Sequence, residues 1–525
     1  MGIFINRGNA DFQRIRNSEY VDKTELISVV NRTLFTEQSM SCVTRCRRFG
    51  KSMAAKMLCA YYDDSCDSRS LFADLKIAQD ASFEKHLNKY PVIYLDMTDF
   101  ITRFKNDDSI VSHIDREVRA DIQTAFPDIP SEEGDDLMAL LLRIVLKTGK
   151  PFFFIIDEWD AICREFSSGS KGMDSYVNWL RRMFKSVSAN TAFAGVYMTG
   201  ILPIKKYQTQ SALNNFLEYS MVEPRKMAHY FGFTKDEVRQ LAEKHQMDFT
   251  ELERWYDGYQ IGDEPSMFNP NSVMQAVDVG RCRSYWGATA TFNSISDYIG
   301  MNFEGLKDDI VKMLAGGRCI VDPTGFQNDL SEIHSRDDVL TVLIHLGYLS
   351  YEWRESECYI PNFEVAGEMA NAVKANHWKY VSDALQQSRQ LLQDTINGDE
   401  GAVELALADA HSSDTSILSY NDENSLACVL SIAYYYARAD YHVHREYATG
   451  KGFADFVMIP RKNVSKPALV IELKKDKDAR TGIDQIKERN YPQKIAEYTG
   501  DILLVAITYD RDTKQHTCRI ERLEK

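Results

Sequence analysis

Short apolar runs alternate with stretches of helical period over the first 220 residues of the chain. Residues 40–44, 90–96, 151–157 and 191–200 are runs of the strand type, bounded by polar or turn-forming positions. The third, Phe152 to Ile156, has no polar alternation at all, as a strand covered on both faces requires. Residues 53–61 have a helical pattern, and Leu26, Ile27 and Val30 share one face of an earlier helix. Asp22, followed by Glu25 three positions on, reads as the capping box of that earlier helix. Strands separated by helices in this way predict an α/β fold with a parallel sheet.

From about residue 221 the pattern turns helical and rich in loops. Trp255, Tyr256 and Tyr259 flank the turn pair Asp257-Gly258 and are expected to pack a small core of their own. Residues 337–345 predict a helix that leads into a hairpin-like stretch over 351–361, a winged-helix-like combination. Residues 366–418 read as helices again. The last part has another order: a helix over 423–436, strands over 441–447, 450–459 and 468–474, then a helix over 482–491. Four regions follow, 1–220, 221–300, 301–420 and 421–525.

At 525 residues the chain is too long for one hydrophobic core. Its 44% hydrophobic and 26% charged residues are those of a soluble globular protein. No stretch approaches the ~20 apolar residues of a membrane span, so no membrane partner is expected. The N-terminus lacks the apolar core of a signal peptide, and Gly2 lacks the downstream Ser or Thr of a myristoylation site. Ten scattered cysteines with no Cys-x-x-Cys fit a reducing cytoplasm better than a disulfide framework or a zinc site. Cys46, between Arg45 and Arg47, is the exception to watch, as a thiol among basic residues. The net charge of −15 argues against nucleic-acid binding by the whole surface. Residues 441–525, however, hold 17 Lys/Arg against 13 Asp/Glu, which is compatible with a nucleic-acid site confined to that end.

Thr44-Arg-Cys-Arg-Arg-Phe-Gly-Lys-Ser52 joins the first strand to the helical stretch behind it. A tight loop ending Gly-Lys-Ser before a helix offers backbone N–H groups and a helix N-terminus to a phosphate. Lys51 then reaches the β- and γ-phosphates, and the Ser52 hydroxyl helps to hold Mg²⁺. The first glycine of such loops is missing, and Arg45 stands in its place. Asp157 and Glu158 end the most apolar run, at the strand edge where parallel sheets bind ligands. Asp157 suits the Mg²⁺ shell, and Glu158 suits orienting or deprotonating an attacking water.

Tyr20-Val-Asp-Lys-Thr-Glu-Leu-Ile27, the Thr44–Ser52 loop and Phe154-Ile-Ile-Asp-Glu-Trp-Asp160 together resemble the bacterial AAA-ATPase-like family of P-loop ATPases. In that family the first loop glycine is commonly absent. Cys46 replaces a usual Pro, and Trp159 a usual Tyr. Residues 231–238, 255–262 and 268–270 resemble its helical lid. The resemblance implies ATP and Mg²⁺ as cofactors, with nucleotide contacts from Arg45, Arg47, Arg48, Phe49, Gly50, Lys51 and Ser52. It also places the strand ending at Thr199 beside the phosphate-loop strand. Thr199 then either senses the terminal phosphate or simply punctuates the strand end. The three arginines either reach phosphate, act on a neighbouring copy, or form a structural salt-bridge cluster.

In the last part, a strand's period of two puts Glu472 and Lys474 on one face, and a hairpin partner brings Asp455 beside them. Two carboxylates next to a lysine suit Mg²⁺ and an attacking water at a phosphodiester. This arrangement resembles the PD-(D/E)XK nuclease superfamily, a restriction-endonuclease-like α-β-β-β-α-β fold. The resemblance implies catalytic roles for Asp455, Glu472 and Lys474, and auxiliary roles for Glu446, Gln485 and Tyr491. Phe453 departs from the Arg common at its position. The combined expectation is a cytoplasmic protein in which ATP binding and hydrolysis control a Mg²⁺-dependent nuclease. Its partner is nucleic acid, DNA favoured, in defence against or maintenance of mobile DNA; a homo-oligomer is left open. The alternative is a nucleotide-gated signalling switch whose last domain binds nucleic acid or a partner without cutting.

Overall fold

In the computed structural model the apolar runs of the first 220 residues all become strands of one sheet. These are β1 (Met40–Thr44), β2 (Val92–Asp96), β3 (Phe152–Asp157) and β4 (Phe193–Gly200), joined by a short edge strand, β5 (Leu217–Tyr219). All pairs are parallel, and the order is β2-β3-β4-β1-β5. The strand after the Asp157-Glu158 strand therefore lies beside the phosphate-loop strand, with Thr44 opposite Gly200. The structure describes the chain except residues 1, 106, 133, 167–169, 205, 208–209, 212, 287–291, 329, 331, 377, 412–422, 449–452, 462–463, 476–478, 489–497, 511–512, 514 and 524–525.

The unbroken apolar character of β3 has a direct cause in its two faces. Phe152, Phe154 and Ile156 join one core with α2 (Ile110–Ala125), α3 (Leu137–Thr148) and α5 (Lys171–Phe184); α1 (Lys51–Tyr62) precedes these and the short α4 (Ala161–Glu165) lies between α3 and α5. Phe153 and Ile155 join the other core, built with α1. Each such side chain stabilises the fold by about 1.5–3 kcal/mol on full burial. An acid at position 157 can therefore end the strand only where it is hydrogen bonded.

The leading helix begins later and otherwise than a capping box would have it. It spans Glu25–Asn31 with Thr24 at its N-cap and no side-chain cap. Asp22 accepts instead from the N–H groups of Thr24 and Lys76, at 2.9 and 2.8 Å. Glu25 pairs with Lys76. A local turn and a distant backbone group took the carboxylate that the sequence assigned to a cap.

Contacts divide the chain into two units, Met1–Trp286 with Ile320–Glu364, and Gly287–Cys319 with Val365–Lys525. The connector expected over 301–420 is thus shared between them. In the first unit, α6 (Lys235–Lys244), α7 (Phe249–Tyr256), the hairpin β6 (Tyr259–Ile261) and β7 (Glu264–Phe268), and α8 (Pro270–Val279) follow the sheet. Val238, Leu252, Tyr256, Phe268 and Val273 form their core, with Trp255 packed against it. Tyr259 packs elsewhere, edge-on to Phe49 at 5.1 Å between ring centroids. A helix, α9 (Arg336–Leu346), and a hairpin, β8 (Ser350–Glu352) with β9 (Glu357–Tyr359), complete this unit. Ser350 accepts from the Gln260 N–H, and the Tyr259 hydroxyl donates to Gly347 O, both at 2.8 Å.

The second unit has helices α10 (Lys379–Asn397), α11 (Glu400–His411) and α12 (Glu423–Ala433). They precede three antiparallel strands, β10 (Tyr441–Ala448), β11 (Phe453–Pro460) and β12 (Ala468–Lys475). Then α13 (Ala479–Glu488) crosses to β13 (Ile502–Asp510), parallel to β12, and β14 (Gln515–Arg522) closes the sheet. The order helix, three strands, helix, strand is the one expected, with one strand more. At the edge of this sheet the N–H groups of Cys518 and Ile520 donate to Glu404 and Glu400 of α11, each at 2.8 Å. Carboxylates on a strand edge discourage pairing with another chain. Among the described residues no helix is long and apolar enough to cross a membrane.

Candidate functional sites

The loop after β1 turns through two left-handed residues, Arg48 (φ 71°) and Gly50 (φ 86°), before α1 begins at Lys51. Gly50 adopts that geometry freely, whereas Arg48 is strained, a cost of about 1–3 kcal/mol that clusters at functional sites. Across from the loop, Glu158 is strained in the same way at φ 52°. Between them lies a cavity of about 950 Å³, lined by Arg47, Arg48, Phe49, Gly50, Lys51 and Ser52 on one side and by Glu158 on the other. Its apolar wall includes Ile15, Val21, Phe233 and Met274, with Tyr20 beside them. Free N–H groups at a helix start, a buried lysine and an apolar wall together fit a phosphate ester carrying a flat apolar group.

Lys51 is buried, donates to Cys46 O at 3.2 Å and lies 3.7 Å from Glu158 Oε1. The other oxygen of Glu158 takes a hydrogen bond from Arg164 Nη2 at 2.6 Å. Arg164 Nε stands 3.0 Å from Asp160 Oδ2, and Asp160 also accepts from the N–H groups of Ile201 and Leu202. Burial raises the Glu158 carboxyl above its ordinary range, with Lys51 and Arg164 pulling the other way. Burial works against the Arg164 charge, but Asp160 and then Glu158 hold it above the usual guanidinium value. Arg47 is lowered, by burial first and by the nearby Arg164 charge second.

Asp157 lies at the foot of this cluster, 2% exposed. Its Oδ1 accepts from the Thr199 hydroxyl at 2.5 Å and its Oδ2 from the Tyr94 hydroxyl at 2.9 Å. Thr199 is fully buried, and its hydroxyl is spent on Asp157; it orients that carboxylate and does not line the cavity. Arg45 departs further from a nucleotide contact. Its guanidinium is fully buried and donates to the carbonyls of Thr44, Tyr219, Ser220 and Met227 at 2.8–3.2 Å. Burial lowers it to about 10. The residue in place of the first glycine thus ties β1 to β5, which a point charge aimed at phosphate would not do. Arg48 donates to Tyr285 O at 2.9 Å. Cys46 is fully buried, its thiol pushed up to about 12 by burial, so it lacks the thiolate character of an oxidation-sensitive cysteine.

The sequence alone missed Arg164, Asp160 and Tyr94. One signal was present: Asp160 and Arg164 stand four apart at a helix start, an ion-pair spacing, with Arg164 six residues beyond Glu158. Nothing local marks Tyr94 or the apolar wall, since those residues meet only when the sheet and the following helices assemble.

In the second unit, β11 and β12 pair Phe456 with Ile471, so the next step of the register sets Asp455 opposite Glu472. Asp455 Oδ2 accepts the Leu473 N–H at 2.6 Å, and Lys474 Nζ donates to Glu472 Oε1 at 2.8 Å. Glu472 is 1% exposed. Asp455, Glu472 and Lys474 are therefore brought together. Pairs on either side of it place position 446 of β10 opposite Asp455, and Gln485 lies on α13. Tyr491 falls outside the described residues. Two carboxylates on adjacent strands are hard oxygen donors that fit Mg²⁺. Among the described residues no group of three or more His, Cys, Asp and Glu side chains forms a ready-made metal site.

Residues 7–209 match the model of the family described as Predicted AAA-ATPase, and residues 421–518 match that of the PD-(D/E)XK nuclease superfamily. Among curated proteins no relative matches the chain. Among solved structures, the ORC2 protein of Aeropyrum pernix in its ADPNP-ADP complexes aligns at 12% identity over 69% of this chain and 98% of that one, with a TM-score of 0.33. AMPPCP-bound DnaA from Aquifex aeolicus aligns at 9% identity over 62% and 78%, with a TM-score of 0.26.

Proposed function

We propose that this pairing of an AAA-ATPase-like segment with a PD-(D/E)XK-type segment makes the chain an ATP-binding and hydrolysing protein that controls a Mg²⁺-dependent nuclease acting on DNA. The observation that carries the reading is the convergence of Asp455, Glu472 and Lys474 in a chain that also holds Lys51 and Glu158 across one cavity. Lys51 and Ser52 would hold the phosphates, Ser52 the accompanying Mg²⁺, with Asp157 joining it if a Thr199 or Tyr94 hydrogen bond is given up, and Glu158 would orient the water. At the second site Asp455 and Glu472 would hold Mg²⁺, which when bound would supply water activation and charge stabilisation at the phosphorus. Lys474 lies one hydrogen bond from Glu472 and supports the same charge. The setting is the bacterial cytoplasm, in defence against or maintenance of mobile DNA.

The test is a panel of single- and double-stranded DNA and RNA, incubated with Mg²⁺ with and without ATP, for the wild type and Lys51→Ala. DNA cleavage that changes with ATP and loses that response in Lys51→Ala supports the reading. Cleavage indifferent to both removes the control by nucleotide. No cleavage of any substrate, with ATP still bound, favours a nucleotide-gated switch whose last domain only binds. That second reading is supported by Glu158, whose two oxygens are both engaged by cations.

A further inference from the structure

Glu158 lines the cavity facing the phosphate-loop lysine, and Arg164 holds one of its oxygens. Arg164 donates to that oxygen at 2.6 Å, and Lys51 lies 3.7 Å from the other. A carboxylate oxygen held by a guanidinium in a charge-assisted hydrogen bond is a poorer base and a poorer anchor for water. Both cations also line the cavity, as does Arg47, so three positive groups surround the place where a phosphate chain would lie. Arg164 is only 11% exposed and is anchored behind by Asp160, which is itself fixed by the Ile201 and Leu202 N–H groups. Its guanidinium thus has a fixed rear attachment and a front face shared between Glu158 and the cavity. The backbone strain at Glu158 marks the same spot, because a left-handed glutamate persists only where its surroundings demand it.

We propose that Arg164 has two alternative partners, the Glu158 carboxylate and the terminal phosphate of a nucleoside triphosphate, which takes it from Glu158 on binding. A triphosphate offers Arg164 and Lys51 an acceptor of higher charge than a carboxylate, and a planar guanidinium binds phosphate oxygens in a forked geometry. As Arg164 moves to the phosphate it leaves Glu158 Oε2, which then becomes available to the attacking water. A diphosphate leaves Arg164 on Glu158. No bond is made or broken in this exchange. Arg164 is a phosphate contact, and through Glu158 it ties the readiness for hydrolysis to the presence of the third phosphate. The inference rests on the proposal that the cavity binds nucleotide.

Binding of a non-hydrolysable ATP analogue and of ADP is measured by calorimetry for the wild type, Arg164→Met, Arg164→Lys, Glu158→Gln and Glu158→Gln/Arg164→Met. Loss of one charge-assisted contact corresponds to about a tenfold change in affinity. Arg164→Met is expected to weaken the triphosphate about tenfold while changing ADP by less than about twofold. Arg164→Lys, which keeps the charge, is expected to recover part of the loss. Glu158→Gln frees Arg164 and is expected to tighten the triphosphate about tenfold, an effect that disappears when Arg164 is Met. Equal weakening of ATP analogue and ADP by both Arg164 variants overturns the inference, and so does a Glu158→Gln effect that persists without Arg164. In either case, binding that still depends on Lys51 leaves the nucleotide reading standing. Absence of all nucleotide binding removes both.

Discussion

Arg45 shows how one side chain can be mistaken for a ligand contact. It follows a strand in a basic loop, yet both of its terminal nitrogens donate to backbone carbonyls. Replacing it with Ala strands several of those carbonyls, and the expected loss is about 3–5 kcal/mol of stability. Lys has fewer donors and no fork, so Arg45→Lys is expected to recover only part of this. Urea denaturation followed by fluorescence reads both, as a lower midpoint at unchanged slope. An Arg45→Ala protein of wild-type midpoint with weaker nucleotide binding would restore the phosphate role. Cys46 gives a second residue-scale expectation. With its thiol pushed up to about 12 by burial, it should resist iodoacetamide at pH 8 in the native protein and react after denaturation. Peptide mapping by mass spectrometry measures this; fast native labelling of Cys46 would contradict it. The acids and the lysine of both sites were legible in the sequence, because the chemistry of Gly-Lys-Ser, Asp-Glu and Glu-x-Lys is local. The orientation of Arg45 and Thr199 was not, because each is set by partners far along the chain or across the sheet, whereas Arg164 pairs with Glu158 and Asp160 close by in sequence.

At the scale of elements, the phosphate loop is backed by a segment about three hundred residues away. Gly347, left-handed at φ 86° as the C-cap of α9, lies so near Cys46 that an added Cβ would stand 2.6 Å from the Cys46 Cβ and 2.8 Å from its Sγ. Cys46 O in turn holds Lys51. Gly347→Ala should therefore push on the loop as well as strain the cap, costing about 2–4 kcal/mol and weakening nucleotide binding. Gly398 provides a control: it is left-handed at φ 77° at the end of α10, with nothing within 4 Å of an added Cβ. Gly398→Ala should cost only the backbone part, about 1–2 kcal/mol, with nucleotide affinity unchanged. Thermal melts with and without nucleotide separate the two. Equal nucleotide affinity in both variants would mean that α9 does not position the loop. The helix α9 and its hairpin were readable from periodicity; their place against the loop was not, since no pattern in either segment encodes the other.

At the scale of the molecule, the two candidate sites sit in two separately packed units. Mutations at the second site should then leave the first intact. Asp455→Asn, Glu472→Gln and Lys474→Ala are each expected to reduce DNA cleavage on the order of 100-fold or more, with ATP hydrolysis unchanged. Mg²⁺ or Mn²⁺ should support cleavage, Ca²⁺ should bind without supporting it, and EDTA should abolish it. Cleavage of a plasmid and release of phosphate, followed in parallel, check these outcomes. An Asp455→Asn protein that cuts at full rate would remove the second site from the account. The edge carboxylates Glu400 and Glu404 belong to the same unit and explain how its sheet ends without recruiting another strand.

The sequence by itself determined the strand runs, the phosphate loop, the acids that end β3, and the pairing of Glu472 with Lys474 on one strand face. Each of these is fixed by residue type and by periods of two or 3.6, which act over a few positions. The leading helix was found but its cap was misassigned, because Lys76, far along the chain, claimed Asp22. The tertiary structure alone decided which charged groups face each other. Arg45 is drawn into carbonyls at the end of β5, and Thr199 onto Asp157 across the sheet. It also divided residues 301–420 between the two units. Such pairings follow from strand order and from the need of every buried polar group for a partner, and neither is written in a local stretch of chain.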